Sequence, residues 1–249
     1  MLPILYQSPE LVLYSYPLLM GLGWGVGYQI FFALWPKSLP HWHGQVLFWG
    51  SFLFAWIGAK ILFLLSYPDE IPQGYLGAVS FWTGGGFVFY GGLLGGVLFL
   101  LFFKFLFRLP LNKENFWPIV PALTLGHGIG RVGCLLAGCC FGKETDWWWG
   151  IHLHGIDRHP TQIIEAVFLL ALGIFLLKSK RGILELASVY LLSYGFMRFG
   201  IEFLRGDKVR GEWGFFTPSQ WISLLLVGAG VLLLSRILNS YGFSSKSIK

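Results

Sequence analysis

The segment Gly126–Gly142, GHGIGRVGCLLAGCCFG, has the length of a membrane-spanning helix yet holds an arginine near its middle. A guanidinium at bilayer depth costs about 2.5–3.5 kcal/mol on insertion scales, so such an arginine pairs with a counter-charge or binds a ligand. The positions three and four residues from Arg131 on the same helix carry no carboxylate. We therefore expect Arg131 to bind an anion, with a salt bridge to a distant carboxylate, Glu165 or Glu202, as the alternative.

The composition of the whole chain predicts an integral membrane protein. Hydrophobic residues make up 55% of the chain and charged residues 12%, whereas soluble domains carry about 25% charged residues. The mean hydropathy is +0.64, and the aromatic content of 18% is typical of interfacial belts. The net charge of +6 includes no long basic run, which argues against nucleic acid as a partner.

Apolar runs of about 20 residues predict an all-α fold in which one polytopic membrane domain covers residues 1–249. The seven predicted spans are roughly Leu11–Trp35, Gln45–Ser66, Gly86–Phe107, Phe116–Gly138, Thr161–Leu177, Ile183–Phe203 and Gln220–Leu238. The fourth is the weakest by hydropathy because it contains Arg131 and His127. A re-entrant or broken helix is the alternative there, since irregular backbone is tolerated in a membrane where it is buried or lines a cavity.

Lysine and arginine residues follow the first, third and fifth spans and end the chain. Cytoplasmic loops carry an excess of these residues, so we expect the N-terminus outside and the C-terminus in the cytoplasm. The outward-facing loops are then at about 67–85, 139–160 and 204–219.

Glycines recur at helical spacing in several spans. Pairs four residues apart predict tight helix contacts, and they are Gly21/Gly25, Gly23/Gly27, Gly91/Gly95 and Gly92/Gly96. Around Arg131, the four residues Gly126, Gly128, Gly130 and Gly133 remove side-chain bulk. A guanidinium binds phosphate oxygens in a bidentate fork, so this environment favours close approach of a phosphate.

Arg198, Glu202 and Lys60 also lie in the predicted spans. Arg198 and Glu202 are four residues apart, share a helix face and can pair. This pair either neutralises itself and fixes helix packing, or Glu202 orients Arg198 and leaves part of the guanidinium free for an anion. We expect Lys60 to be structural, with its charge moved toward the interface or paired with a carboxylate.

The chain contains three cysteines, Cys134, Cys139 and Cys140. Their odd number argues against a disulfide framework, and Cys-x4-Cys-Cys is not a standard zinc-ligand spacing. We expect buried small hydrophobic residues, no metal site and no cofactor. The run Gly128–Gly133 also matches G-x-G-x-x-G, but the sequence offers no βαβ unit, so a dinucleotide site is excluded.

Two other segments carry polar or glycine-rich patterns. Arg158–Gln162, RHPTQ, predicts a helix start whose polar residues, with Glu165 behind them, line a cavity mouth. His159 alone fits either a capping or loop role or a site. Gly84–Gly96, GGGFVFYGGLLGG, lets a backbone come close to a bulky group and places Tyr90 among glycines.

These segments together resemble the prolipoprotein diacylglyceryl transferase family. Blocks of the resemblance occur in the family's order over most of residues 80–225, with a weaker match at Tyr14–Tyr16; they are Tyr90–Gly95, Gly130–Gly142, Arg158–Gln162 with Glu165, and Tyr194–Arg205. The resemblance implies a seven-helix enzyme of the bacterial inner membrane, with its active site toward the outer leaflet. Its reaction moves the diacylglyceryl group of phosphatidylglycerol to the lipobox cysteine thiol of a preprolipoprotein and releases glycerol 1-phosphate.

The resemblance also assigns site residues. It implies that Arg131 contacts the phospholipid and that Arg198 forms the second cationic group. The residues expected to bind phosphatidylglycerol are Arg131, Gly142, Gly91, Gly92, Glu202, Tyr16, His159, Gln162 and Glu165. The expected catalytic residues are Arg131, Arg198, Tyr90 and His127.

The chain departs from the best-studied members of that family at three positions. Tyr90 stands where those members have histidine before Gly-Gly, Cys134 replaces an asparagine, and Cys139 replaces an acidic residue. A histidine base is therefore missing at position 90, and we expect His127 or Tyr90 to supply the polar function. Two alternatives stay open: a transporter or channel for a small anion, and a divergent member with the same fold and altered activity.

Overall fold

The computed structural model describes residues 2–8, 12–68, 87–107, 116–206 and 214–246, and most of them are helical. The helices are α1 (Ser15–Ala33), α2 (His41–Ser66), α3 (Phe89–Phe107), α4 (Ile119–Ala137), α5 (Thr161–Ser179), α6 (Ile183–Ile201) and α7 (Pro218–Lys246). The strands form two antiparallel pairs that the sequence patterns did not predict, β1 (Ile4–Gln7) with β2 (Val12–Tyr14) and β3 (Ile151–Leu153) with β4 (Ile156–Arg158).

Five of these helices are long and apolar enough to cross a membrane, namely α2, α3, α4, α5 and α7. This supports a mostly helical, multi-pass membrane protein. The fourth predicted span is among them as an unbroken helix with mean hydropathy 1.4, so the alternative of a broken helix there is wrong. It is also not the weakest span, because α1 and α6 are too polar to qualify: α1 is rich in glycine, and α6 carries Glu185 and Arg198. That all seven helices cross, and in which orientation, stays a prediction.

The chain forms two compact units. One comprises Met1–Leu34 with Asn112–Lys249 and contains α1 and α4 to α7. The other comprises Trp35–Leu111 and contains α2 packed along α3. Most of the predicted loop at 67–85, together with Gly84–Gly86, lies outside the described residues.

Helix α4 is the central helix of the first unit. Half of its apolar window is buried, against 11–39% in the other candidate spans, and it packs against α1, α5 and α6. A Cβ on Gly126 would lie 3.1 Å from the carbonyl oxygen of Gly23, and one on Gly130 would lie 3.1 Å from Sδ of Met20. Helix α1 therefore approaches α4 as closely as two glycine-faced helices can.

The other two glycines around Arg131 also face neighbouring helices. A Cβ on Gly133 would lie 3.2 Å from the ring of Tyr16 on α1, and one on Gly128 would lie 3.0 Å from Leu170 on α5. The expectation that these glycines clear space for a phosphate is therefore wrong. They clear space for α1 and α5, because a helix that carries a buried arginine needs neighbours close enough to enclose it.

The spaced glycine pairs behave differently from one helix to another. Gly23 and Gly27 of α1 face α4, as predicted, whereas a Cβ on Gly21 or Gly25 would have no neighbour within 4 Å among the described residues. In α3 the prediction holds for both pairs, because all four glycines face the α2 segment that contains Phe54, Ala55 and Gly58.

Helix α4 ends in a left-handed glycine cap. Gly138 has φ +72°, its N–H donates to the Leu135 carbonyl at 3.1 Å, and the Cys139 N–H donates to the Cys134 carbonyl at 3.1 Å. These two bonds are the Schellman pattern that closes a helix C-terminus. They turn the chain back over the last turn of α4, so the end of the signature segment lies beside its middle.

The predicted loop at 139–160 is an ordered hairpin region. Strands β3 and β4 are joined by His154 and Gly155, both at positive φ, which is the backbone of a tight hairpin turn. Isolated β-bridges join Gly142 to Arg205 and Glu144 to Arg158. These bridges tie the end of the signature segment, the hairpin and the end of α6 together at one end of the first unit.

Candidate functional site

Arg131 of α4 pairs with a carboxylate on α5. Its Nη2 lies 2.7 Å from Oε1 of Glu165, and the two side chains are 14% and 2% exposed. The alternative of a salt bridge to a distant glutamate is therefore correct, and the binding of an anion by Arg131 stays a prediction. The same Glu165 oxygen accepts a hydrogen bond from the Tyr194 hydroxyl at 3.0 Å. Glu165 and Tyr194 thus fix the guanidinium from α5 and α6.

His127 lies one turn before Arg131 and contacts two tyrosines of α6. Its Nδ1 is 3.4 Å from the Tyr190 hydroxyl, and its ring meets the Tyr194 ring edge-on at 5.0 Å. Tyr190 and Tyr194 stack at 5.6 Å, because they are one helical turn apart on the same face. Sequence reasoning missed Tyr190 in this role. Its spacing from Tyr194 was the available signal.

The predicted pair within α6 forms. Arg198 Nη2 lies 2.7 Å from Oε2 of Glu202 and 3.1 Å from the Ser219 hydroxyl. Thr217 donates to Oε1 of Glu202 at 3.0 Å, and Nε of Arg205 lies 3.8 Å from Oε2. Both charged side chains of the pair are at most 5% exposed, so the pair is almost completely desolvated.

One nitrogen of Arg198 finds no hydrogen-bond partner among the described residues. Nη1 of Arg198 is buried and has no partner within the part of the chain that the structure describes. A buried guanidinium N–H without an acceptor is costly, because desolvation is not compensated. Glu202 holds Nη2 of Arg198, and the binding of an anion by the rest of the guanidinium stays a prediction.

The residues that open α5 hold the end of the signature segment. Nε2 of Gln162 donates to the Cys139 carbonyl at 2.8 Å, and the Thr161 hydroxyl donates to the Cys140 carbonyl at 2.9 Å. Both side chains are almost fully buried. The described contacts of Gln162 are therefore those of a positioning residue. His159 is half-buried, and its Nδ1 accepts a hydrogen bond from the Trp149 indole at 3.2 Å.

Gly142 lies where three segments cross. A Cβ there would fall 2.6 Å from Cβ of His159, so no side chain fits. Its carbonyl accepts a hydrogen bond from Nη1 of Arg158 at 3.3 Å, and the Arg158 guanidinium lies over the Phe141 ring at 4.5 Å. Glycine is required at this position for close backbone approach.

The three cysteines lie together at the C-terminal end of α4 and in the turn that follows it. Their sulfur atoms are within 4.8 Å of one another; Cys134 is buried, Cys140 is half-buried and Cys139 is exposed. The expectation of buried small hydrophobic residues holds for Cys134 and is wrong for Cys139, because the turn after Gly138 directs Cys139 outward. Hydrogen bonds from the other two thiols, and then the charges of Arg205 and Arg131, lower the pKa of Cys140 in the loop after α4.

Several predicted residues lie elsewhere or contact only their surroundings. Tyr16 is 39% exposed on α1 and packs on Gly133. In the second unit, Gly91 and Gly92 pack against α2, as described above, and Tyr90 is half-buried on α3. Lys60 is fully buried with Nζ 4.1 Å from the centre of the Phe87 ring. The site roles of Tyr16, Tyr90, Gly91 and Gly92 stay predictions.

Comparison with known proteins agrees with the resemblance seen in the motifs. A family model described as prolipoprotein diacylglyceryl transferase matches residues 3–236. A phosphatidylglycerol–prolipoprotein diacylglyceryl transferase 2 of Clostridium perfringens is 35% identical over 196 residues, which are 71% of this chain and 72% of the relative.

Two further relatives have similar names. The phosphatidylglycerol–prolipoprotein diacylglyceryl transferase of Clostridium tetani is 35% identical over 61% of this chain and 64% of its own length. That of Haemophilus influenzae strain 86-028NP is 27% identical over 82% of this chain and 76% of its own length. With a family model that covers nearly the whole chain, the protein belongs to the prolipoprotein diacylglyceryl transferase family.

Proposed function

We propose that this membrane transferase moves the diacylglyceryl group of phosphatidylglycerol to the lipobox cysteine thiol of a preprolipoprotein and releases glycerol 1-phosphate. Family membership and the names of the relatives support this reaction. The structural observation that carries it is a pair of arginines in one unit, one buried and one largely buried, each held by its own glutamate. A transporter for small anions is less well supported, because no relative described above has that name.

The reaction is a displacement at a glycerol carbon. A carbon–sulfur bond forms, the carbon–oxygen bond to the phosphate breaks, and the leaving glycerol phosphate keeps the electron pair. Negative charge therefore grows on the phosphate, and preorganised cations stabilise it. We assign this role to Arg131 and Arg198, with Nη1 of Arg198 as a donor that has no hydrogen bond within the described residues.

The two glutamates orient the arginines. Each guanidinium has five N–H donors in a fixed fork, and Glu165 and Glu202 each occupy Nη2 of their partner. The remaining donors then point in a defined direction, which suits bidentate recognition of phosphate oxygens. Glu165 and Glu202 thereby act on the lipid through the arginines.

The acceptor thiol must lose a proton, because its unperturbed pKa is about 8.5 and the thiolate is the nucleophile. Tyr90 replaces the histidine of well-studied members, so we assign the polar function to His127, with Tyr90 as the alternative. The Tyr190 contact supports His127, since it fixes the ring next to Arg131.

The roles that we propose for the remaining site residues are based on their contacts and exposure. Gln162 and Gly142 position the end of the signature segment, and Tyr16 and His159 are half-buried or exposed near it, where a lipid headgroup can reach them. We further propose that Gly91 and Gly92 belong to the lipid site.

The proposed topology places all seven helices across the bacterial inner membrane in one polytopic domain. The N-terminus is outside, the C-terminus is cytoplasmic, and the active site faces the outer leaflet. The loops at about 67–85, 139–160 and 204–219 are then outside. Both the lipid and the lipobox segment are membrane-bound substrates.

The test is a transfer assay with the detergent-solubilised chain. Phosphatidylglycerol labelled in its acyl chains is mixed with a lipobox peptide, and both lipidated peptide and free glycerol phosphate are measured. We expect the two products in equal amounts, with no transfer to a peptide whose cysteine is replaced by serine. Absence of lipidated peptide under conditions where a relative from Clostridium perfringens is active would contradict the proposal.

A further inference from the structure

The cysteine cluster of Cys134, Cys139 and Cys140 is not explained by helix packing. These are all the cysteines of the chain, and they converge on one point through the glycine cap that ends α4. The cap directs Cys139 back beside Cys134, so that the Cys139 sulfur lies 3.6 Å from the Cys134 carbonyl oxygen. Three thiols, one of them exposed, form a set of soft donors that is open on one side.

The dimensions of the cluster suit one small thiophilic ion. The three sulfur atoms lie within 4.8 Å of one another. With zinc–sulfur bonds of about 2.3 Å, tetrahedral geometry separates two sulfur ligands by about 3.8 Å. A side-chain rotation that moves a sulfur atom by about 1 Å would reduce the sulfur–sulfur distance from 4.8 Å to this value. Such a rotation is feasible because cysteine has a single χ angle and Cys139 is exposed. Thiolate ligands favour Zn²⁺ or Cu⁺ over Mg²⁺ or Ca²⁺.

The surroundings balance the charge of such a site and fix its ligands. Three thiolates around Zn²⁺ have a net charge of −1, and the cationic Arg131 lies about one turn before Cys134 on α4. Gln162 and Thr161 hold the carbonyl groups of Cys139 and Cys140. Such outer contacts orient the ligands of a metal site.

We propose that Cys134, Cys139 and Cys140 bind one Zn²⁺ ion whose fourth position takes the thiol of the acceptor cysteine. This inference rests on the proposed function. Three protein ligands with one open position are the arrangement of zinc sites that act on a bound group, whereas structural zinc sites use four protein ligands. The exposed side of the cluster, at Cys139, is where the fourth ligand enters.

The step balances without an oxidant. The acceptor thiol coordinates zinc and releases its proton to the base that the proposed function assigns to His127, since a coordinated thiol is deprotonated. The bound thiolate then attacks the glycerol carbon, and the phosphate leaves with the electron pair of the broken bond. The departures from the family pattern agree with this assignment: Tyr90 removes a histidine, while Cys134 and Cys139 add two sulfur ligands.

The first test measures metal binding without any lipid. The full-length chain, reduced and in detergent, is loaded with Co²⁺ in place of zinc, and its metal content and absorption are recorded. We expect one ion per chain and a thiolate-to-cobalt charge-transfer band. Because all cysteines of the chain are in the cluster, such a band reports only on this site.

Two variants distinguish metal binding by the cysteine cluster from adventitious metal binding at the protein surface. Cys139→Ser removes an exposed ligand, so the fold is retained, and we expect affinity to fall by tenfold or more with loss of the band. His152→Ala is the matched control, because His152 pairs with Asp157 in an exposed acidic pocket that can hold a metal adventitiously. Normal Co²⁺ binding by Cys139→Ser, or loss of binding in His152→Ala, would overturn the inference.

The second test adds the acceptor. A lipobox peptide should strengthen the charge-transfer band of the Co²⁺ protein by supplying a fourth sulfur, and a peptide with serine for cysteine should not. An unchanged spectrum would overturn the inference. If metal-free protein transfers lipid at the normal rate, the inference fails and the proposed function stands. If the spectrum responds but no lipid is transferred, the proposed function fails and the metal site stands.

Discussion

The two arginine–glutamate pairs of the first unit are built in different ways. Arg198 and Glu202 lie one turn apart at the end of α6, so the backbone of a single helix sets their distance. Arg131 and Glu165 lie on α4 and α5, so their 2.7 Å contact exists only when the two helices pack. The first pair is local and almost fully buried, whereas Arg131 keeps 14% of its side chain exposed. Arg131 is therefore the more accessible of the two cations that we assign to the lipid phosphate.

The largest expected effect is that of Arg131→Ala. The accessible cation at the leaving phosphate is lost, and we expect transfer to fall by up to about a thousandfold, as when one preorganised donor is removed from a catalytic site. Lipid transfer to a lipobox peptide is the measurement. Arg236→Ala is the matched control, because Arg236 is exposed on α7. Retained activity in Arg131→Ala would refute its role.

Arg198→Ala should have the next largest effect. Its Nη1 is buried without a hydrogen bond in the described residues, which indicates a donor that is satisfied by the lipid phosphate. We expect a loss of about a hundredfold in transfer. Part of the loss would come from leaving Glu202 as an uncompensated buried charge, so the double variant Arg198→Ala, Glu202→Gln is the control. If the double variant recovers normal transfer, Arg198 is only a structural partner.

The glutamates distinguish the local pair from the tertiary pair. Glu165→Gln and Glu202→Gln each leave a buried guanidinium without its carboxylate, at a cost of about 3–5 kcal/mol in the free energy of unfolding. Glu165→Gln should also loosen the contact between α4 and α5, so we expect the larger loss of both thermal stability and transfer there. Thermal unfolding in detergent measures the first, and the transfer assay the second. Equal losses would mean that the two pairs do not differ in function.

The sequence located the local pair because a spacing of four residues on one helix is readable without tertiary structure. The tertiary pair was only an alternative, since no sequence pattern states which α5 residue faces Arg131. The glycines around Arg131 were misinterpreted for the same reason. A glycine that accommodates a helix and a glycine that accommodates a ligand have the same sequence, and only the positions of Tyr16 and Leu170 distinguish them.

The cysteine cluster was also beyond the sequence patterns. Cys-x4-Cys-Cys is not a standard ligand spacing, and the three sulfur atoms meet only because Gly138 closes α4 with a left-handed residue. The helices, by contrast, were predicted to within a few residues at most ends, because apolar length is a direct consequence of the thickness of a bilayer. The site depends on contacts between residues that are far apart in the sequence, whereas the helices could be predicted from the lengths of the apolar runs.

Substitutions of His127 and Tyr90, the two candidates for the base, should have smaller effects on transfer than substitutions of the arginines. We expect His127→Ala to lower transfer by about ten- to a hundredfold, at or below the lower end of a general acid–base contribution. Tyr90→Phe should lower it less, because it removes only a hydroxyl group. Membrane insertion, measured by the amount of folded protein recovered in detergent, should stay normal in both. Normal transfer in both variants would remove these residues from the mechanism.

The smallest expected effects come from the neutral partners of the two glutamates. Tyr194→Phe removes the hydroxyl that donates to Glu165, and Thr217→Val removes the one that donates to Glu202. Each change should cost about 1 kcal/mol in the free energy of unfolding, the usual net contribution of one hydrogen bond. Only Tyr194→Phe should also lower transfer, by a few-fold, because Glu165 then holds the accessible arginine less firmly. If Thr217→Val lowers transfer as much, the local pair is as close to the reacting lipid as the tertiary pair.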